Sequence, residues 1–371
     1  MANMTAEEFY QEVESFARTE VAPGAQAREQ AGEIDHALIK KMGAHGLLAV
    51  NVSKEFGGEG AGVVAYANAV KRIAEADASI AVTMAVTNMV GEVIQQFGTD
   101  AQKKHYCPKL ASGEFFAGAF ALSEPGSGSD AASLQTKAIR EGDDWIISGQ
   151  KMWITSGTEA GVFVVWARTS GSGAKGITCF LVDKGATGLE IGKPEHKMGL
   201  KASHTVPLTL EAVRVSDDAI LGREGDGFKI AMVALDGGRI GISSQATGIA
   251  TAARNRLVQR LKADQVDQAV EFGLADIEMR IQSGWLLALQ AASLKESGQP
   301  FSKQAAMAKV QTTEGANKVA RDALELAAYA GLDECAHQSR LVRDLRVSQI
   351  YEGTSEVQRI VIGRSVLREA S

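Results

Sequence analysis

One carboxylate lies in a run of small residues near the end of the 371-residue sequence, Ile350-Tyr-Glu-Gly-Thr-Ser-Glu356. Apolar residues flank this run, so we expect Glu352 to be partly desolvated. Burial raises the pKa of a carboxylate and suits it to proton abstraction. Gly353 lets a ligand approach the backbone closely, and Thr354 and Ser355 supply short hydroxyl donors. The same residues also fit a plain helix start capped by Thr354 or Ser355, and both interpretations stay open.

Two other segments combine glycine, hydroxyl and aromatic residues. Phe120-Ala-Leu-Ser-Glu-Pro-Gly-Ser-Gly-Ser-Asp130 is the first, and Gly149-Gln-Lys-Met-Trp-Ile-Thr-Ser156 is the second. Taken alone, each has a structural interpretation as well as a functional one. Trp153 fits the core of a β-barrel, and Ser-Glu-Pro-Gly fits a turn.

Two glycine patterns suggest a nicotinamide-dinucleotide site, and both lack its context. Gly171–Gly176 matches G-x-G-x-x-G, yet it leads into the β-rich run Ile177–Val182 and not into a helix that could hold a pyrophosphate. We therefore predict a hairpin turn there. Gly126–Ala131 fits the looser pattern, but no repeating βαβ units surround it. A Rossmann domain is not expected.

Composition restricts the class of protein. With 45% hydrophobic residues the chain can bury a large core and should form two or three domains. A net charge of −6 argues against nucleic acid or an anionic membrane as a partner. The opening Thr5-Ala-Glu-Glu8 is acidic, so no leader is expected, and no run of roughly 18 apolar residues predicts a membrane span.

Cysteine and histidine usage point to a reduced, metal-free protein. Cys107, Cys179 and Cys335 are scattered, and we interpret them as reduced thiols of a cytoplasmic protein. The six histidines show no metal-ligand spacing, so no metal is expected.

Secondary-structure patterns divide the chain into three parts. Residues 1–118 show helical spacing of apolar residues. Residues 119–225 contain short β-rich runs without intervening helices, which predicts an antiparallel barrel or sandwich. Residues 226–371 return to helical patterns, and the uncharged stretch Gln282–Leu294 predicts a helix inside a bundle or a subunit interface. The fold class is therefore α+β.

The three motifs, in this order, resemble the signatures of the acyl-CoA dehydrogenase family, and the resemblance covers nearly the whole chain. It implies an N-terminal helical domain, a middle β-domain and a C-terminal four-helix bundle. It also implies FAD as cofactor, an acyl-CoA thioester as substrate and an electron-transferring flavoprotein as acceptor.

The resemblance assigns roles to individual residues. Ser129 matches a residue near both the cofactor and the acyl-CoA, and Trp153-Ile154-Thr155 matches the segment that covers one side of the isoalloxazine. The remaining implied cofactor contacts are Phe120, Leu122, Ser123, Gly128, Thr354, Ser355 and Glu356. The other implied substrate contacts are Asp236, Arg239 and Gly353.

The base is implied by matching two family positions. One branch carries a glutamate before the arginine of the segment resembling Leu235–Ile240, and here that residue is Gly238. Only Glu352 remains, as in the short- and medium-chain straight-acyl branches and unlike the isovaleryl branch. The implied reaction has Glu352 remove the α-proton while hydride passes from the β-carbon to flavin N5, which gives a trans-2-enoyl-CoA.

Two departures from the family affect contacts that one subunit makes with its neighbour's FAD. An Arg-x-Gln-Phe-Gly run is replaced by Arg260–Gln268, and the usual Gly-Gly segment by Glu325–Leu332. One interpretation is a non-catalytic subunit that binds acyl-CoA or a partner and holds FAD weakly. Another is a hetero-oligomer in which a related chain supplies the missing groups. The interpretation we favour is a catalytic homo-oligomer, a dimer or a tetramer.

Overall fold

The computed structural model describes residues 6–333 and 335–370, without the side chains of residues 6, 335 and 336. The predicted thiol of Cys335 lies outside these described side chains. Cys107 and Cys179 are buried free cysteines.

Helices occupy the chain before the first strand. Asp77 ends one helix and begins the next, because its carboxylate accepts hydrogen bonds from the backbone N–H groups of Ser79 and Ile80. The helices are α1 Ala6–Phe16, α2 Ala25–Ala31, α3 His36–Ala44, α4 Val63–Ala76, α5 Ala78–Phe97 and α6 Asp100–Ala111.

Helix α5 corrects one prediction, because by length and composition it is apolar enough to cross a membrane. Its most apolar 18-residue window is 89% buried inside the protein. The helix packs on α4 and α6 and on a long C-terminal helix, so its apolar character is used in the core.

The middle of the chain forms one eight-stranded sheet. The strands are β1 Gly118–Ala121, β2 Lys137–Glu141, β3 Asp144–Thr155, β4 Val162–Arg168, β5 Ile177–Asp183, β6 Leu189–Ile191, β7 Thr205–Ser216 and β8 Ile220–Leu221. Their order is β6-β7-β3-β2-β4-β5-β8, with β1 beside β4. The predicted hairpin at Gly171–Gly176 is confirmed, because Thr169 N–H donates to the carbonyl of Gly176 at 2.9 Å between antiparallel β4 and β5.

The predicted middle β-domain is confirmed, but it is not purely antiparallel. β1 pairs with β4 in parallel, from Gly118 opposite Val162 to Ala121 opposite Val165. β2 also meets β4 in parallel, at Lys137 and Arg168. A parallel pair needs a long connection between its strands, and the segment between β1 and β4, which contains β2 and β3, provides it.

The C-terminal part consists of helices that pack on one another. They are α7 Gly227–Arg260, α8 Gln268–Glu296, α9 Ser302–Tyr329, α10 Cys335–Leu345 and α11 Ser355–Glu369. Helices α7, α8 and α9 are long, and both short helices pack on α9. A turn at residues 346–354 separates α10 from α11 and carries Glu352. The predicted domain limits stay a prediction; the helix–strand changes fall between Ala111 and Gly118 and between Leu221 and Gly227.

Candidate functional site

The turn that carries Glu352 has an unusual backbone. Glu352 has a φ of +55° and Gly353 a φ of +86°, so both lie in the left-handed region. A non-glycine residue is uncommon there and is held by its surroundings. Thr354 then begins α11, because its hydroxyl accepts a hydrogen bond from Val357 N–H at 3.3 Å. The helix-start interpretation of Thr354 is therefore correct, and Glu352 lies just outside the helix.

The carboxylate of Glu352 points inward although the residue as a whole is half-buried. Its Oε2 atom is buried and has no hydrogen-bond partner among the residues that the structure describes. Burial raises the pKa of Glu352 to about 7, against the opposing effect of the nearby charges of Lys309 and Arg239. A carboxylate with this pKa is suited to proton transfer near neutral pH.

Gly238 on α7 makes room for this carboxylate. A β-carbon added at Gly238 would lie 2.5 Å from Oε2 of Glu352 and 3.1 Å from Sδ of Met89. Atoms do not approach this closely without displacement, so Glu352 can keep its position only beside a glycine. The sequence indicated only that Gly238 cannot act as a second base. The structure adds that a glycine at this position leaves space for the carboxylate of Glu352.

A cavity of about 280 Å³ is lined by Gly238 and by residues of α4, α5, α7 and α8. Apolar lining comes from Met89, Val93, Val233, Ala234 and Phe301. Tyr66 also lines it, and burial together with the charges of Glu92 and Glu352 raises the pKa of Tyr66 well above its usual value.

An ion pair lies in the wall of the same cavity. Lys295 Nζ is 2.5 Å from a carboxylate oxygen of Glu92, and both side chains are mostly buried. Asn51 donates a further hydrogen bond to Glu92. The cavity therefore combines an apolar lining with one charged boundary.

Asp236 and Arg239, the predicted substrate contacts on α7, form an ion pair with each other. Arg239 is buried, and its Nε has no hydrogen-bond partner in the described part of the chain. Burial lowers the pKa of Arg239, which the charges of Asp236 and Glu352 oppose. The structure thus places Arg239 in the electrostatic environment of Glu352.

The first two motifs lie side by side. The backbone N–H of Met152 donates to the carbonyl of Ser123 at 2.9 Å. Lys151 Nζ donates to the carbonyl of Leu122 at 3.2 Å and to Glu124 Oε1 at 2.8 Å. The segments around Phe120–Ser129 and Trp153–Thr155 are therefore joined by direct hydrogen bonds.

The side chain of Trp153 is exposed to solvent and is not packed in the core of the sheet. Its φ is +64°, and the register of β3 against β7 shifts between Lys151 and Ile154, which marks a bulge. As a result 58% of Trp153 is exposed, whereas its neighbour Ile154 is buried. The interpretation of Trp153 as a barrel core residue is wrong.

These features fit a large flat cofactor. Trp153 offers an exposed indole face, and β-carbons added at Gly126 or Gly128 would meet no atom of the described part of the chain within 4 Å, so a ligand could approach that backbone closely. Gly128 and Ser129 are exposed beside the joined segments, and Glu352 contributes a buried oxygen that no described residue hydrogen-bonds. Ser355 is buried, whereas Glu356 is exposed.

Sequence reasoning missed four residues of this region. Lys309 and Gln358 contact the turn of Glu352, and Glu124 and Lys151 join the two motifs. A usable signal existed for Lys309, a lone charge following Ala305-Ala-Met-Ala308, because a charged residue in an apolar run is rarely buried without a reason. Gln358 carries no comparable signal.

Known proteins resemble the chain over all three parts. The family profiles for the N-terminal, middle and C-terminal domains of acyl-CoA dehydrogenase match residues 3–114, 119–213 and 225–367. Bovine mitochondrial short-chain specific acyl-CoA dehydrogenase is 42% identical over 95% of this chain and 88% of its own.

Two solved structures are similar over nearly their whole length. Butyryl-CoA dehydrogenase from Megasphaera elsdenii has a TM-score of 0.93 and 37% identity, covering 99% of this chain and 100% of its own. A chain in the structure reported for the electron transferring flavoprotein of Acidaminococcus fermentans has the same TM-score, 38% identity and the same coverage.

Proposed function

Because the chain belongs to the acyl-CoA dehydrogenase family, an FAD-dependent family that dehydrogenates acyl-CoA thioesters, we propose that Glu352 is the base that removes the α-proton. The observation that carries this assignment is that the buried Oε2 of Glu352 has no hydrogen-bond partner among the described residues. A pKa raised to about 7 by burial matches the task, since a base works best when its pKa lies near the operating pH.

The protein's own groups handle the proton and the developing negative charge. Glu352 Oε2 accepts the α-proton, and the enolate oxygen that results takes a hydrogen bond from a backbone N–H near Glu352. Ser129, Asp236, Arg239 and Gly353 are the proposed substrate contacts. Arg239 also contributes positive charge near Glu352.

Cofactor binding is assigned to the two joined segments and the start of α11. Trp153, Ile154 and Thr155 would hold the flavin ring system, with Trp153 against one of its faces. The other proposed contacts are Phe120, Leu122, Ser123, Gly128, Ser129, Thr354, Ser355 and Glu356. FAD, when bound, accepts the hydride that leaves the β-carbon.

The experiment that tests the base is Glu352→Gln. The variant should keep bound FAD and its yellow colour, and should lose flavin reduction by acyl-CoA. Glu190→Gln, an exposed carboxylate on β6, is the matched control and should react as the parent does. Full flavin reduction in Glu352→Gln would show that Glu352 is not the base.

We further propose a short straight-chain acyl group as the substrate. The relatives above are named for short-chain and butyryl substrates. The cavity supports this proposal, because its volume is only about 280 Å³ and its wall contains the Glu92–Lys295 ion pair. A long apolar tail would meet charged groups there, which is unfavourable. Comparing kcat/KM for acyl-CoA thioesters of increasing length, straight and branched, tests this directly.

The assembly we propose is a homo-oligomer. Helix α8 exposes Phe272, Met279 and Leu286 by 63%, 62% and 64%. Residues seven apart lie on the same side of a helix, so these three form an apolar stripe, and such stripes favour burial against another subunit. We infer in addition a cytoplasmic location, because the buried thiols of Cys107 and Cys179 suit a reducing compartment.

Expressing the protein alone and measuring its mass and FAD occupancy tests this assembly. Identical chains saturated with FAD support the homo-oligomer. Poor occupancy rescued by co-expression of a related chain would support a hetero-oligomer. A colourless protein that takes up no added FAD would support the non-catalytic alternative.

An electron-transferring flavoprotein is the acceptor we propose, supported by the family resemblance and by the similarity to a chain in the Acidaminococcus structure. Adding such a protein to the substrate-reduced enzyme should reoxidise it.

A further inference from the structure

We propose that Lys309 is a positioning residue for the reaction: it holds the backbone turn that carries Glu352 and keeps a buried positive charge near that carboxylate. This inference rests on the proposed role of Glu352 as the base. It concerns a helix, α9, that carries none of the residues assigned so far to catalysis or binding.

The contact of Lys309 with the turn is direct. Lys309 is 0% exposed, and its Nζ donates a hydrogen bond of 2.7 Å to the carbonyl of Gly353. An ammonium group is costly to bury, and a neutral side chain could have made the same hydrogen bond. The position of a charge here therefore points to an electrostatic role as well as a structural one.

Gln358 completes the attachment of the turn. Its Nε2 donates to the carbonyl of Glu352 at 3.1 Å and to that of Gly353 at 2.9 Å. Two consecutive residues with left-handed φ are thus held through their carbonyl oxygens by two buried side chains. A β-carbon at Gly353 would lie 2.6 Å from Nε2 of Gln358, so this attachment also requires glycine.

The charges around Glu352 come from several helices. Lys309 on α9 and Arg239 on α7 both lower its pKa, while burial raises it further than they lower it. Tyr66 on α4, which is buried, and the adjacent half-buried Tyr351 lie near Glu352, and burial together with the charge of Glu352 raises the pKa of each.

The charges around Lys309 include carboxylates on α9 and α11. Burial lowers the pKa of Lys309 to about 8, an effect that Glu352, Glu356 and Glu314 oppose and Arg239 reinforces. At neutral pH Lys309 therefore carries a proton, and its charge favours the ionised form of Glu352.

Removing that charge should raise the pKa of Glu352. The base must be ionised to accept a proton, so the rate of flavin reduction rises with pH through the pKa of Glu352. Without Lys309 this rise should move to higher pH, by about one unit or more for a neighbouring charge. The rate at neutral pH should fall at least about fivefold and recover when the pH is raised.

The test measures the single-turnover rate of flavin reduction by butyryl-CoA against pH in the FAD-loaded enzyme. Lys309→Gln keeps a hydrogen-bond donor for the Gly353 carbonyl and removes the charge. In this variant the rise of the rate with pH should occur at higher pH than in the parent. Lys309→Arg keeps the charge and should restore the parent profile. Lys318→Met, an exposed lysine on the same helix, is the matched control.

Gln358→Leu separates the two contributions, since it weakens the attachment and leaves the charge. It should lower the rate at every pH without moving the rise. A second measurement does not depend on turnover: in the Lys309→Gln background the gain in stability of Glu352→Gln over its parent should be larger and should level off at a higher pH.

An unshifted rise in Lys309→Gln, with FAD bound, would overturn the electrostatic role. If Lys309→Gln does not fold, Lys309→Met replaces it, since it also removes the charge. The pH dependence of its stability, with and without Glu352→Gln, then tests the electrostatic role. Failure of the proposed function is distinguishable, because Glu352→Gln would then stay active. If only this inference fails, Glu352→Gln is inactive and the pH profile of Lys309→Gln is unchanged.

Discussion

Oε2 of Glu352 occupies the space into which a β-carbon at Gly238 would project, with only 2.5 Å between the two positions. One residue is in the turn before α11 and the other is within α7, so their fit depends on how these two elements pack. The position of the proposed base is thus limited by the absence of a side chain on another helix.

Gly238→Ala should therefore impair catalysis without unfolding the protein. Alanine favours a helix interior over glycine by up to about 1 kcal/mol, which offsets part of the steric cost. The carboxylate must move, and a displacement of about 1 Å can reduce a rate roughly a hundredfold. The measurements are kcat/KM and the midpoint of thermal unfolding.

The matched control is Gly315→Ala, at a helical glycine of α9 whose added β-carbon would meet no atom within 4 Å among the residues that the structure covers. It should leave kcat/KM unchanged. A kcat/KM in Gly238→Ala equal to that of the parent would show that catalysis does not depend on this position of the Glu352 carboxylate.

Stability should depend on pH through Glu352. Its folded pKa of about 7 lies above the ordinary value of 4.5, so the protonated carboxyl favours the folded state. That stabilisation is fully present below the ordinary pKa and is lost as the pH rises through about 7. Glu352→Gln cannot ionise and should be more stable than its parent above pH 7, by about 2–4 kcal/mol.

Thermal unfolding of Glu352→Gln and its parent across pH measures this difference. The gain should shrink as the pH falls and disappear near the ordinary carboxyl pKa. Because Asp344, whose burial raises its pKa to about 6, titrates in both proteins, its effect cancels in the comparison. Parallel stability profiles at all pH values would contradict a raised pKa at Glu352.

The Glu92–Lys295 ion pair should limit the length of the acyl group. Replacing both residues, as Glu92→Gln with Lys295→Met, leaves the wall of the cavity uncharged. Each further buried CH₂ group is then worth up to about 0.8 kcal/mol. We expect the ratio of kcat/KM for octanoyl-CoA over butyryl-CoA to rise about tenfold or more.

Lys303→Met with Glu369→Gln is the control for this double change, since it removes an ion pair of 2.6 Å between α9 and α11 near the surface. It should not alter the ratio. An unchanged ratio in the cavity variant as well would mean that the acyl group does not reach Glu92 and Lys295.

The buried Glu124–Lys151 pair should stabilise the junction of the two cofactor segments. Burial raises the pKa of Glu124, but Lys151 and the N–H groups of Gln135 and Thr136 outweigh burial and hold it below its usual value. Lys151→Met leaves this buried carboxylate unpaired, which should cost about 3–5 kcal/mol and weaken FAD binding.

Adding Glu124→Gln to Lys151→Met should recover part of that loss, because no buried charge remains unpaired. Arg214→Met, which breaks exposed ion pairs with Glu141 and Asp144, is the control and should change the stability much less than Lys151→Met. The free energy of unfolding and the dissociation constant of FAD are the measurements. Equal losses in Lys151→Met and the double variant would exclude an unpaired charge as the cause.

Local patterns were sufficient for the three-part architecture and for the neighbourhood of the base. Short β-rich runs without helices between them predicted the sheet, and the apolar residues that flank the run of Glu352 predicted its partial burial. The acyl-CoA dehydrogenase resemblance supplied the roles. Each of these signals lies within a few residues of the feature that it predicts.

Contacts between distant segments could not be predicted in this way. Lys309 reaches Gly353 across 44 positions of sequence, and Lys295 meets Glu92 across 203. The parallel pairing of β1 with β4 also depends on where the intervening strands fold back. Such pairings follow from tertiary packing, which no local pattern of residue types records.

The bulge that displays Trp153 gives this protein a built-in optical reporter. Trp145, Trp166 and Trp285 are buried, whereas Trp153 is 58% exposed. Collisional quenchers such as acrylamide should therefore extinguish the emission of one indole out of four in the cofactor-free protein. Titrating FAD into that protein should shield this indole from acrylamide, so loading can be followed in a fluorimeter without any substrate.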